Sequence, residues 1–83
     1  MNLLYFASTR QSIGRAHEKV DIPLNVKTVA DLVGWLRLRG AEYEKAFSDL
    51  QRLRVAVNQV HADYSSVISN GDEIAFFPPV TGG

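Results

Sequence analysis

The sequence has no cysteine, no excess of either charge, and only one methionine and one tryptophan. Without cysteine there is no disulfide staple, thiolate metal site or cysteine nucleophile, and the redox compartment is left undetermined. Nine basic side chains offset nine acidic ones, so no positive field gathers phosphates and nucleic acid is not an expected partner. No run approaches the roughly 18 apolar residues that a membrane span requires. The start, Met1-Asn2-Leu3-Leu4-Tyr5-Phe6, has neither the basic flank nor the cleavage site of a secretory leader. A cytoplasmic protein with no membrane partner is therefore expected. Internal repeats, low-complexity runs and Pro/Gly/Ser-rich linkers are lacking too.

What is present is 83 residues, 46% hydrophobic and 22% charged, the composition of an ordinary globular chain. That length predicts one domain with a small core, hiding roughly 60 to 65% of the surface of the unfolded chain. Residues 3–7 form an apolar run suited to a buried strand, and the polar stretch 8–15, containing Gly14, reads as a loop. Residues 18–22 alternate polar and apolar as a strand with one wet face should, until Pro23 ends the ladder. The two strands are expected to pair as a hairpin.

Thr28 is a good N-cap, with Asp31 placed to favour the positive end of a helix. Val29, Leu32, Val33 and Leu36 then follow the spacing of one buried stripe. Arg37 and Arg39 suit the negative end, and Gly40 is the expected stop. Gly34, inside the helix, costs about 0.5 to 1 kcal/mol relative to alanine unless packing compensates or the element bends. Trp35 flanks the stripe and is expected to cover the core edge. Tyr43, Ala46, Phe47 and Leu50 predict a short second helix.

Leu53, Val55 and Val57 alternate as a third strand, followed by turn chemistry at Asn58-Gln59 before Val60. Arg52 and Arg54 bracket Leu53 on its solvated face. Ser69-Asn70-Gly71-Asp72 is a turn leading into a last strand, residues 73–77, which Pro78-Pro79 ends. Two strands, a main helix, a short helix and returning strands fit an α+β β-grasp architecture, four to five strands packed against one main helix. The expected domain is residues 1–80, with residues 81–83 a flexible tail.

That tail holds the most pointed chemistry. The four residues after Pro79 can extend about 13 to 14 Å, enough to enter a deep pocket on another protein. Gly82 and Gly83, lacking Cβ, fit narrow channels, and the terminal carboxylate is then the reactive group. A bare Gly-Gly end reads first, however, as a frayed terminus. No side-chain catalyst competes with it. Ser65, Ser66 and Ser69 have no histidine and acid arranged around them, and His17 has no second ligand at metal spacing. No metal site is expected.

The segment Asn70-Gly71-Asp72-Glu73-Ile74-Ala75-Phe76-Phe77-Pro78-Pro79-Val80-Thr81-Gly82-Gly83 closely resembles the ending of the small subunit of molybdopterin synthase. The likeness continues in Leu4-Tyr5-Phe6-Ala7 with Arg10 and Gly14, in Thr28-Val29-Ala30-Asp31-Leu32 and in Val55-Ala56-Val57-Asn58-Gln59. The resemblance implies a ubiquitin-like carrier rather than an enzyme in its own right, with catalytic residues on a larger subunit. Its Gly83 carboxylate would be adenylated by an E1-like partner using ATP and magnesium, with no permanently bound cofactor, and converted to a thiocarboxylate. Val80, Thr81 and Gly82 would carry that end into the large catalytic subunit of a heterotetramer, where sulfur passes to cyclic pyranopterin monophosphate.

Phe6, Arg10, His61, Phe77, Pro78 and Pro79 fall where the family meets its partner. Ile74 and Phe76 must share the face opposite Phe77, which favours an outward Phe77. Arg10 would pair with a partner carboxylate. His61 stands where an apolar residue is common, so it either makes the patch more polar or is a spectator. Two rivals remain: a carrier for thiamine synthesis or transfer-RNA thiolation, and a ubiquitin-like interaction module whose tail is never activated.

Overall fold

The computed structural model describes residues 1–79. A strand β1 (Asn2–Tyr5) leads into helix α1 (Ala7–Ile13) and strand β2 (His17–Lys19), followed by helices α2 (Val29–Arg37) and α3 (Ala41–Ala46). A single 3₁₀ turn, Leu50–Arg52, precedes strands β3 (Arg54–Val57), β4 (Val60–Ala62) and β5 (Glu73–Phe77). The five strands form one mixed sheet in the order β2-β1-β5-β3-β4. β1 and β5 are parallel at its centre and the other pairs are antiparallel.

The main helix forms for the reasons its sequence predicts. The Thr28 hydroxyl accepts from the Asp31 N–H at 3.1 Å, and the Asp31 carboxylate accepts from the Thr28 N–H at 3.2 Å, a reciprocal cap that satisfies otherwise orphaned donors. Val29, Leu32, Val33 and Leu36 are buried. They pack against Leu3 and Tyr5 of β1, Val55 of β3 and Ile74 and Phe76 of β5 in one core. Phe47, just past α3, meets Phe76 edge-on at 5.0 Å and closes an end of that core. Trp35 packs on the core's margin, as expected. The helix stops at Arg37 rather than Gly40, which instead precedes α3 with φ 156°.

Several expectations need correction. Residues 8–15 are not a loop. Thr9 and Ile13 bury one side of α1, and Gly14, at φ 87°, ends the helix by donating its N–H to the Arg10 carbonyl at 2.8 Å. The αL conformation needed there is one that glycine adopts without cost. The first two strands pair antiparallel as expected, but helix α1 and not a loop connects them. The fold has a third helix beside the expected two. β1 is not buried on both faces, because Asn2 is exposed and Leu4 only half-buried, and Phe6 just past its end is 47% exposed.

The second strand is also shorter than residues 18–22, and Glu18 is on its buried side. Glu18 shares the parity of Val20 and Ile22, so the face that buries them buries it as well. Its side chain, only 4% exposed, is saturated by donors. One carboxylate oxygen accepts from the Tyr5 and Tyr43 hydroxyls at 2.9 Å each. The other faces Arg39 at 2.7 Å and Arg15 at 3.3 Å. Burial alone would raise the Glu18 carboxyl, but hydrogen bonds from Arg39, Tyr43 and Tyr5 outweigh it and hold it below the ordinary range. Burial, and then the Glu18 charge, push the Tyr5 hydroxyl well above its ordinary value. Arg39 also lies over the rings of Trp35 and Tyr43, at 5.6 and 4.9 Å.

Candidate functional site

The helices α2 and α3 cover one face of the sheet, and strand alternation decides what the other face presents. With Leu3, Tyr5, Val55, Ile74 and Phe76 turned to the core, their neighbours turn away from it. The register aligns Leu4 with Ala75, Ala75 with Ala56, and Ala56 with His61, one row running across β1, β5, β3 and β4. The next row pairs Phe77 with Arg54, and the Phe6 N–H extends the parallel ladder by donating to the Phe76 carbonyl at 3.1 Å. Phe6 is thereby placed beside Phe77 on the uncovered face. His61 meets Phe77 edge-on with ring centroids 5.5 Å apart.

The result is a mainly apolar field with two alanines at its centre, the buried Ala56 among them, and Leu4, Phe6, Phe77 and His61 around them, bordered by the exposed His17 of β2 beside Leu4 and Arg54 of β3 beside Phe77. Apolar surface gathered on one face marks an interaction site more often than scattered exposed residues do. Phe77 is its last strand residue, so the chain leaves the sheet at the rim of this field through Pro78 and Pro79. Both prolines line a groove of about 540 Å³ between α1 and α3. The expected tail residues Val80, Thr81, Gly82 and Gly83 lie outside the described residues.

Local geometry explains how Phe6 is held outward. Ala7 takes φ 52°, a left-handed conformation that costs a residue with a Cβ roughly 1 to 2 kcal/mol. It turns the chain from β1 into α1 in one step. Arg10 is on α1, exposed and without an ion pair among the described residues. It borders a separate shallow pocket of about 620 Å³ with Gln11, Gly14 and Arg15. At the far edge, Asn58 and Gln59 have φ 50° and 68°, the pair of positive values that a two-residue β3–β4 turn requires. The Asn58 side chain donates to the Asp72 carboxylate and accepts from the Glu73 N–H, both at 3.0 Å, tying that turn to the start of β5.

A family model described as the ThiS family matches residues 3–83. The chain belongs to that family. Curated relatives agree over its full length. A molybdopterin synthase sulfur carrier subunit of Haemophilus influenzae is 39% identical over 83 residues, covering 100% of this chain and 99% of its own. One from Mycobacterium tuberculosis is 37% identical, covering 100% and 96%. Among solved structures, SAMP1 from Haloferax volcanii superposes with a TM-score of 0.74 at 26% identity, covering 100% of this ThiS-family chain and 98% of its own. The ubiquitin-like β-grasp fold expected from the sequence is thus the fold observed.

Of the residues singled out in the sequence, Phe6, His61 and Phe77 come together on the open face, and Pro78 and Pro79 continue from it. Arg10 is on a helix outside that face. Leu4, Ala56 and Ala75 were not singled out. Their signal was available in part, since Ala75 alternates with the buried Ile74 and Phe76, but their alignment across strands is set by a register that no single segment displays.

Proposed function

We propose that this chain is the sulfur-carrying small subunit of a molybdopterin synthase, acting through the Gly83 carboxylate. A carboxylate is a poor acyl donor, whereas its mixed anhydride with AMP has a good leaving group that a sulfur nucleophile displaces. An E1-like enzyme using ATP and magnesium would form that anhydride, and sulfur would then rest on the chain terminus as a thiocarboxylate. Residues 80–82 would deliver it into the large catalytic subunit, for transfer to cyclic pyranopterin monophosphate within a cytoplasmic heterotetramer. No side chain of the small subunit needs to act as acid, base or nucleophile.

What carries the reading is the junction at Phe77, where the uncovered apolar face and the root of the Gly-Gly segment meet in a chain that matches curated sulfur carrier subunits end to end. A partner seated on Leu4, Phe6, Phe77 and His61 would have the tail directed into it. The test is deletion of Gly83. The truncated chain should fold and bind the large subunit yet acquire no sulfur, seen as absence of the oxygen-for-sulfur mass increase after incubation with the activating enzyme, ATP and a sulfur source. Sulfur transfer by the truncated chain refutes the proposal. Capture of a thiazole synthase in place of the large subunit would move the chain to thiamine synthesis.

A further inference from the structure

The groove beside Pro78 and Pro79 is chemically unlike the open face. One wall comes from α1, with Ser8 and Ser12, and the other carries Lys45 of α3 and Arg52 of the 3₁₀ turn. Asp49 and Ser48 also border it. The three ion pairs among the described residues use Arg15, Arg37 and Arg39. Lys45 and Arg52 take part in none of them. This cleft thus sets two exposed cations that belong to no ion pair among the described residues against a single carboxylate, the rest of its lining being hydroxyls, prolines, Ala46 and Leu53. A chain of zero net charge has no diffuse positive field, so this excess is local.

We infer that this groove is a second docking surface, and that its occupant is an acidic segment of the large subunit that receives the tail. The inference rests on the function proposed above. Pro78 and Pro79 form part of the groove wall while Phe77, one residue earlier, belongs to the apolar face. Any protein that grips the chain beyond Pro79 must therefore pass beside the groove as well as the open face. Proline fixes φ near −65°, so the prolines hold the chain root against the groove and little ordering is needed when a partner closes over it. The open face would supply apolar contact area. The groove would supply register and charge complementarity, which affect encounter rate and partner choice more than total affinity. Its hydroxyls can satisfy backbone groups of the incoming segment.

The test compares the double charge reversal Lys45→Glu/Arg52→Glu with the unaltered chain in calorimetric titrations against the large subunit. Neither residue belongs to the core, so the variant should keep its melting temperature. Its affinity should fall by about tenfold or more, since like charges would then face each other. Between about 50 and 300 mM salt the unaltered complex should weaken while the variant complex weakens less, because screening removes only attractions that were present. Affinity and salt dependence within about twofold of the unaltered chain overturn the inference. So does a gain in affinity, which would mean that the cations hold the chain's own terminal carboxylate. Phe77→Glu separates this inference from the reading beneath it. If Phe77→Glu weakens binding and the double variant does not, the groove alone is refuted. If the unaltered chain does not bind the large subunit, the proposed function fails and the inference with it.

Discussion

Replacing Glu18 by glutamine removes one charge and almost no volume, and its cost can be worked from four contacts. The glutamine carbonyl can take the place of the oxygen that accepts from Tyr5 and Tyr43. The amide nitrogen then faces Arg39 and Arg15, donors against a donor. The 2.7 Å contact with Arg39 is a hydrogen bond between charged groups, of a kind that contributes about 1.5 to 3 kcal/mol. The 3.3 Å contact from Arg15, whose side chain is 56% exposed, adds no more than about 0.5 kcal/mol. Arg39 keeps the rings of Trp35 and Tyr43 and can turn towards water, which holds the total near 2 kcal/mol. For a domain of this size that lowers the melting temperature by roughly 8 to 16 °C.

The pH dependence gives a sharper signature. The Glu18 carboxyl is held below its ordinary value of 4.5 in the folded chain, so the unfolded chain takes up that proton first as pH falls. The stabilisation is complete above the unfolded value and is lost as pH falls through the folded one. Chemical denaturation from neutral to acid pH should therefore show the two proteins far apart near pH 7 and converging below about pH 4. Other depressed carboxyls, such as Asp31 and Asp72, bend both curves alike and cancel in the difference. Equal stability at neutral pH, or a gap that stays constant into acid, refutes the assignment of Glu18 as a charged, donor-saturated core residue.

Three further outcomes follow from the geometry. Phe77→Glu should weaken binding to the large subunit by about tenfold or more while changing stability by less than about 1 kcal/mol, because its ring lies on the face opposite the core; calorimetric titration and a thermal melt check the two halves. Gly34→Ala should stabilise by about 0.5 to 1 kcal/mol in denaturant titration, since the site is exposed within α2 and an added Cβ meets nothing within 4 Å. Gln59→Gly should stabilise by roughly 0.5 to 1 kcal/mol in the same assay, as its φ of 68° is one that glycine adopts freely.

The parts of the fold that could be read in advance are those whose signal is local. Thr28, Asp31 and the stripe from Val29 to Leu36 lie within nine positions and specify α2 by themselves. Ile74, Phe76 and Phe77 do the same for β5 and for the outward direction of Phe77. Helix α1 escaped because Ser8, Thr9 and Ser12 favour loops and caps as readily as helix, and only Thr9 and Ile13 turn inward. Its clearest marker was Gly14, one residue past the end. Glu18 escaped for a different reason. A charged residue reads as solvent-facing, and the hydroxyls that satisfy it come from positions 13 and 25 residues away in the sequence. The open face was legible where it rests on the last strand, and illegible where it rests on register.

The division of labour between the two faces bears on which surface the apolar field is shaped to meet. Stability resides in the core side and in the donors around Glu18, so the open face is free of structural duty and Phe77 or His61 can vary with the partner. Ala56 and Ala75 make the centre of that face shallow. Two copies laid face to face would leave their centres poorly filled, and unfilled contact forfeits dispersion energy. A partner with projecting side chains would fill the same depression. Both sheet edges, β2 and β4, are only three residues long, which limits the backbone groups available for edge-to-edge addition. The face is thus better matched to a shaped foreign surface than to a second copy, and with the chain leaving the sheet at its rim through Phe77 and Pro78, the proposed function would make seating that surface and receiving the tail a single event.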